Sequence, residues 1–232
     1  NMFTLLSLQA DSLTAATSTA VIENVAPNTE ISVLEFILKG GVFLIPIAIL
    51  LFYTFYVIAE RYMYIDKASK IDDRLLRDVG EQLQSGNIEL ARAIVERSTN
   101  ASSTIIKEGI LVIGRPIAEI ESNMDRAADI EIGQMEKHLG HLGLIAGIAP
   151  TLGFIGTISG VIKIFYSISV TENISIGNIS GGLYEKMISS GAGLIVGIIA
   201  YSAYHLLNGK IDNFALKVQK QILEFVNIIQ RA

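Results

Sequence analysis

The chain has 232 residues, of which 50% are hydrophobic and only 18% are charged, and its mean hydropathy is +0.47. The net charge of −5, without any basic stripe interleaved with aromatic residues, gives nucleic-acid binding no support, and the lack of cysteine excludes disulfides, thiol catalysis and cysteine-ligated metal sites. So apolar a composition is unusual for a soluble domain of this length and favours a membrane protein.

Three apolar runs are long enough to cross a bilayer. They cover 41–59, 142–162 and 187–207, and the only ionisable acid or base in them is His205. Each holds about the 20 residues that a helix needs to span the hydrocarbon core. Three such runs would leave a soluble chain of this size too little polar surface to enclose them. We therefore predict three transmembrane helices.

The distribution of Lys and Arg predicts the orientation. Of the 18 such residues, eleven lie in 61–137 and four follow Gly209, whereas the link 165–184 has none. Because positive charge stays on the cytoplasmic side, we expect the N-terminus and this link to face outwards and the large loop and C-terminus to face inwards.

These patterns predict an all-α membrane protein with three transmembrane helices and long cytoplasmic helical extensions. Its expected segments, in chain order, are an outward-facing arm with an interfacial segment (1–38), the first transmembrane helix (39–60), a cytoplasmic helical loop (61–138), the second transmembrane helix (139–167), a short outward-facing link (168–183), the third transmembrane helix (184–208) and a cytoplasmic C-terminal helix (209–232).

Hydrophobic periodicity predicts the helices outside the membrane. Two short amphipathic helices are expected within 72–98, broken at 85–87, and one uninterrupted helix from about Pro116 to Tyr166. An apolar stripe at 211–229 continues the third span into the cytoplasm. Long helices with a single apolar stripe need partner helices, so we expect the chain to self-assemble.

Small residues share one face of the second span. Pro150, Gly153, Thr157 and Gly160 fall within about 80° at 100° per residue, and Gly156 forms a G-x-x-x-G pair with Gly160. Small residues let helices approach closely in lipid, which predicts a packing face. The hydroxyl of Thr157, taken alone, is more often bonded to its own helix than functional.

The third span carries a carboxylate at one end of an otherwise small face. Glu185 precedes Ser189, Ala192 and Val196 on this face. A carboxylate at membrane depth costs about 2.5–3.5 kcal/mol on insertion scales, so such residues are usually functional. Glu185 could instead lie in the wet interface, or be neutralised by a lysine such as Lys186. The residues alone leave an ion pathway and a packing or interfacial role equally open.

Three motifs resemble those of the ExbB/TolQ/MotA proton-channel family. APTLGFIGTISGVIKIF resembles the second-helix pattern of the family, and GGLYEKMISSGAGLIVGIIAYSAYHLL resembles the third-helix pattern. Glu60-Arg61 resembles the E-R pair that follows the family's first helix. The resemblance covers about 35–225, is sharpest over 142–208, and is nearer to the ExbB/TolQ branch than to the four-span MotA branch.

The resemblance implies a homo-pentamer in the bacterial inner membrane, with its outward side in the periplasm, around two copies of a single-span ExbD-like subunit. The aspartate of that subunit titrates, and inward proton flow energises a TonB-like transducer. The resemblance implies no catalytic residue, cofactor or metal. The expected lining of the proton pathway is Glu185, Thr157, Ser190 and Ser189, and the expected helix-packing residues are Pro150, Gly153, Gly156, Gly160 and Gly193. The chain departs from the family pattern at Ser190, Lys186 and Ile199, where threonine, a small residue and proline are typical.

Other functions stay open. The partners could belong to a TolQ-like or another stator that serves envelope integrity, gliding or secretion, the ion could be Na⁺, or the chain could be a non-conducting scaffold. A Ser190–His205 hydrolase would place its two groups about 20 Å apart on one helix, which disfavours it. His138 and His141 could bind a metal, although ordinary interfacial histidines explain them better.

Overall fold

The computed structural model describes residues 42–171 and 176–231, with the backbone alone at Asp73, Thr171, Asn178 and Glu185. This part of the chain is all-α, as predicted, and contains no strand. The predicted arm at 1–38 lies outside the described residues. The helices are α1 (Leu44–Ala68), α2 (Asp73–Gln84), α3 (Ile88–Glu96), α4 (Ala101–Leu111), α5 (Ile117–Glu136), α6 (Leu139–Thr171) and α7 (Ile176–Arg231).

Three helical stretches are long and apolar enough to cross a membrane, which confirms the prediction of three spanning helices. They are Leu44–Ala68, Ile117–Val170 and Ile179–Arg231, with mean hydropathies of 1.7, 1.8 and 1.5 in their most apolar windows. Only 28%, 28% and 33% of these windows are buried within the chain. Within the described residues, the rest of each window is at least partly exposed, so that lipid or further helices can cover it. The described part of the predicted link at 168–183 is helical, because α6 continues to Thr171 and α7 begins at Ile176.

The predicted pair of short helices is present as α2 and α3. The Asp72 carboxylate accepts a hydrogen bond from the Arg74 amide at the start of α2, and the Asn87 side chain accepts one from the Leu90 amide at the start of α3. Gly86 lies between them with φ of 76°, a conformation that glycine adopts without steric cost. Local capping and turn chemistry therefore fix the break that the sequence predicted.

The helices outside the membrane bury one face of α7 in a common core. The predicted stripe of α7 lies in it, and its buried members are Ile211, Phe214, Val218, Ile222 and Phe225. Helix α4, which was not predicted from the sequence, packs closely in this core. A β-carbon on Gly109 would lie 2.6 Å from Met124 Sδ and 2.7 Å from Phe225 Cε1, so glycine permits the contact of α4 with α5 and α7.

The prediction of one uninterrupted helix from Pro116 to Tyr166 is wrong at Lys137 and His138. Lys137 has φ −52° and ψ 134°, and His138 has a left-handed φ of 69°. The break separates α5 from α6 without glycine or proline, the residues that usually mark one. Residues of α1, distant in sequence, hold it, as described below.

A buried polar pair joins α4 to α7. The Ser102 hydroxyl donates a hydrogen bond of 2.6 Å to the Gln221 side-chain oxygen, and both residues are buried. We expect Ser102→Ala to lower the free energy of unfolding by about 1–3 kcal/mol, because a buried acceptor loses its donor. Thermal denaturation of the purified protein measures this. Ser102→Ala combined with Gln221→Leu should recover most of the loss, and a double variant no more stable than the single one would contradict the assignment.

Candidate functional site

Gly193 brings the backbone of α7 against that of α6. A β-carbon built on Gly193 would lie 2.4 Å from the carbonyl oxygen of Ala149 and 3.3 Å from the Cα of Gly153. A side chain at this position would therefore clash with backbone, which cannot rotate away. The contact is of the kind that holds helices together in lipid, where small residues allow close packing.

Pro150 and Gly197 make a second close contact one turn along the pair. Pro150 has no amide hydrogen, so the Ala146 carbonyl lacks its usual helical donor. A β-carbon on Gly197 would lie 2.5 Å from Pro150 Cγ and 3.2 Å from the Ala146 oxygen. The sequence prediction omits Gly197, although its spacing from Gly193 forms a G-x-x-x-G pair that would have indicated it.

Gly153 and Gly156 lie opposite the serines of α7. A β-carbon on Gly153 would lie 2.8 Å from the Ser189 carbonyl oxygen and 2.9 Å from Ser190 Cα. One on Gly156 would lie 2.9 Å from Ser189 Oγ and 3.2 Å from Cβ of Phe43, which immediately precedes α1. The small face of α6 thus receives the segment of α7 that carries the predicted pathway residues.

Two hydroxyls converge on one backbone carbonyl between the helices. Thr157 Oγ1 donates to the Lys186 oxygen at 3.0 Å and lies 3.3 Å from the Gly153 oxygen of its own helix. Ser189 Oγ donates to the same Lys186 oxygen at 2.9 Å, and Ser189 is fully buried. The Thr157 hydroxyl therefore bridges α6 and α7 and does not serve its own helix alone.

The aliphatic stem of Lys186 covers Gly160. A β-carbon on Gly160 would lie 2.0 Å from Lys186 Cγ and 2.6 Å from its Cδ. The apolar stem thus packs along α6, as long basic side chains commonly do when they carry a charged head beside apolar surface. Glycine at position 160 leaves the space that this stem occupies.

The remaining predicted pathway residues lie on the same segment of α7. The backbone of Ser190 lies against Gly153, and the backbone of Glu185 lies one helical turn before Ser189. The side chain of Glu185 lies outside what the structure describes. The structure therefore brings Thr157 and Ser189 together beside Lys186, and the role of Glu185 stays a prediction.

The histidines of the two alternative sites, a serine hydrolase and a metal site, have other neighbours in the structure. His205 packs edge-on against Tyr201 and Tyr204, with ring centroids 4.3 Å and 5.3 Å away, and shares α7 with Ser190. Across 42–171 and 176–231, no group of three His, Asp or Glu residues could hold a metal ion. His138 and His141 stack on each other, with centroids 5.5 Å apart.

Comparison with known proteins identifies the family. Residues 88–220 match the MotA/TolQ/ExbB proton channel family. The chain is 31% identical over 189 residues to a biopolymer transport protein ExbB homolog of Methanothermobacter thermautotrophicus, covering 81% of this chain and 67% of that protein. It is 26% identical over 178 residues to an ExbB-like biopolymer transport protein of Synechocystis, covering 75% and 70% of the two chains. It is also 27% identical over 108 residues to the Tol-Pal system protein TolQ of Haemophilus influenzae, covering 47% of each.

Proposed function

Because this chain belongs to the MotA/TolQ/ExbB proton channel family, we propose that it is an ExbB-like subunit of a proton-driven stator. In this function it converts the proton motive force across the bacterial inner membrane into mechanical work. The work energises TonB-dependent transport across the outer membrane. One elementary charge that crosses 100 mV yields about 2.3 kcal/mol, which is enough to drive a conformational step.

The observation that carries this proposal is the hydrogen bond from Thr157 to the Lys186 carbonyl at 3.0 Å. It places a hydroxyl of the second membrane helix at the seam with the third helix, next in sequence to Glu185. A hydroxyl has one donor and two acceptor lone pairs. With its proton directed to Lys186, Thr157 keeps lone pairs that can accept a hydrogen bond from a protonated carboxyl.

The proximity in the chain of Glu185 to the carbonyl that Thr157 binds suggests how a proton would pass. We expect Glu185 to face the interior of the oligomer, where it would exchange a proton with the titrating carboxyl of a partner helix. Thr157 would orient that carboxyl, and Ser190 would add a second hydroxyl to the polar lining. Ser189, which is fully buried, would hold the Lys186 carbonyl in place behind this lining. The glycine contacts of α6 with α7 hold these groups in register, since any added side chain at Gly193 would part the helices.

The partners follow from the family and from the unpartnered membrane surface. In the described part of the chain, only 28%, 28% and 33% of the most apolar windows of the three spans are buried. We expect a homo-pentamer to cover part of the remaining surface, with an ExbD-like single-span subunit inside, lipid outside, and a TonB-like transducer as the driven partner. The Lys and Arg distribution supports an orientation with the N-terminus in the periplasm and α2–α5 in the cytoplasm.

The experiment that tests the proposal compares two threonines of the same helix. The Thr157 hydroxyl crosses to α7, whereas Thr151 bonds back to Gly147 and Ile148 at 3.2 Å and 2.8 Å. We expect Thr157→Val to reduce proton-driven uptake of an outer-membrane substrate at least about tenfold, which corresponds to 1.4 kcal/mol in the limiting barrier. Thr151→Val should leave uptake unchanged.

The amounts of assembled complex and co-purified single-span partner are measured in the same cells. Lower uptake with normal assembly supports the stator. Equal uptake in both threonine variants would refute the role of Thr157, and parallel loss of uptake and assembly would favour a non-conducting scaffold. Normal uptake with defective envelope integrity would indicate a TolQ-like function instead.

A further inference from the structure

The break between α5 and α6 is held in an unfavourable backbone conformation. His138 has φ of 69°, in the left-handed region that residues other than glycine seldom adopt. Such a residue persists only where its surroundings determine it, and strained positions of this kind are typical of switches. The contacts that hold His138 in this conformation therefore indicate which change would let α5 and α6 straighten into one helix.

Helix α1 binds the α5 side of the break. Arg61, which is only 6% exposed, donates from Nη1 to the Gln134 carbonyl at 3.2 Å and stacks over the ring of Tyr64. The last carbonyls of a helix have no donor within it, and Arg61 supplies one at the end of α5. The Tyr64 hydroxyl donates to the side-chain oxygen of the same Gln134 at 3.2 Å.

The neighbouring residue of α1 binds the bend itself. One carboxylate oxygen of Glu60 pairs with Arg61, and the other lies 3.4 Å from Nδ1 of His138. The His138 ring stacks on His141 at an interplanar angle of 18°. Nδ1 of His141 lies 2.6 Å from the Tyr53 hydroxyl of α1. Both sides of the break are thus tied to α1, by residues that span about three turns of that helix from Tyr53 to Tyr64.

We propose that Glu60 and His138 form a protonation-sensitive clasp on a hinge between α5 and α6. Neutral His138 can offer the Glu60 carboxylate at most one hydrogen bond from Nδ1, whereas protonated His138 adds a positive charge and turns the contact into an ion pair, which is stronger. Protonation therefore favours the bent state, and deprotonation favours a straighter α5–α6 helix.

The other charged groups near His138 do not reverse the expected effect, in which protonation of His138 favours the bent state. Arg61 on α1 shares Glu60 with His138 but stays charged, and Lys137 is next to His138 in the chain. Glu136, together with His205 and Asp212 of α7, lines the groove beside Leu139 and Gly140. Of the groups that contact His138 in the described residues, Glu60 is the acidic one. The proposal concerns the bend alone and does not depend on proton flux through the oligomer.

The absence of cysteine makes a distance measurement direct. Cysteines replacing exposed Glu121 on α5 and Ile155 on α6 carry spin labels, and labelled chains are diluted with unlabelled ones in vesicles. Pulsed electron paramagnetic resonance then gives the distance across the break at pH of about 5.5 and about 8, which bracket the ordinary histidine pKa. We expect the ratio of bent to straight populations to be at least about twofold higher at the lower pH.

Three variants separate the backbone preference of residue 138 from the effect of its protonation and of its contact with Glu60. Asparagine tolerates the left-handed conformation and does not titrate, so His138→Asn should stay bent at both pH values. His138→Ala should shift towards the straight form at both, and Glu60→Gln should lose the pH response. Identical wild-type distributions at the two pH values, or a pH response that survives in His138→Asn, would overturn the proposal. If Glu60→Gln does not assemble, the proposal is decided by whether His138→Asn loses the pH response.

Discussion

Replacing Gly193 by valine is expected to part α6 from α7 and to remove most of the assembled complex from the membrane. The first atom of any side chain there would lie 2.4 Å from the Ala149 carbonyl oxygen, which belongs to the backbone of α6. Overpacking costs about 1–3 kcal/mol where side chains can move aside. Here the helices themselves must separate, which would also break the hydrogen bond from Thr157 to Lys186.

The matched control is Gly191→Val, two residues earlier on α7, where a β-carbon would meet nothing of this chain within 4 Å. The amount of complex and its thermal denaturation midpoint in detergent are compared for the two variants. We expect a large loss for Gly193→Val and a small one for Gly191→Val. Equal behaviour would show that the α6–α7 contact does not limit assembly.

Glu185→Gln is expected to abolish substrate uptake driven by the proton motive force while the complex still assembles. Glutamine keeps the size and hydrogen-bonding oxygen of glutamate but cannot release a proton in the physiological range. If Glu185 served only to pack or to sit in a wet interface, the amide would replace it at little cost. Glu121→Gln, an exposed position of α5, controls for loss of charge.

Uptake is measured together with the amounts of the complex and of its co-purifying single-span partner. Uptake that collapses with normal assembly places Glu185 in the energy-converting pathway. Uptake at the wild-type rate would assign it to packing or to the interface and shift attention to Thr157 and the partner subunit.

The parts of the fold that local sequence determines were predictable. The three spans follow from long apolar runs, and the turn between α2 and α3 follows from Gly86 and the capping residue Asn87. The close packing of α6 with α7 follows from the spacing of small residues such as Gly153 and Gly193. In each case the information lies within a few residues of the feature.

The break at His138 could not be predicted in the same way. The apolar stripe continues through it, because α5 and α6 bury the same side against α7, and the residues that stabilise the bend belong to α1. Arg61 reaches Gln134 across 73 positions of the chain, and Glu60 reaches His138 across 78. Helix α4 was missed for a related reason, since its buried Ser102 resembles a surface residue until its partner Gln221 is known.

The candidate site was predicted in part. The sequence placed Thr157 among the small residues of its helix but could not decide whether its hydroxyl bonds back or across, because both carbonyls lie within reach of a threonine. The structure gives both contacts, with the bond to Lys186 the shorter at 3.0 Å. The position of the Lys186 stem over Gly160 could not be predicted either, because the conformation of a flexible side chain depends on the neighbouring surface against which it packs.

The central claim, that this chain provides a proton pathway past Glu185, is tested most directly by proton flux through the purified complex. The complex with its single-span partner is reconstituted into vesicles, and acidification of the interior is followed after a proton gradient and a membrane potential are imposed. The wild type is predicted to conduct protons, and Glu185→Gln is predicted to reduce the flux to that of empty vesicles. Equal flux in the two complexes would contradict the claim.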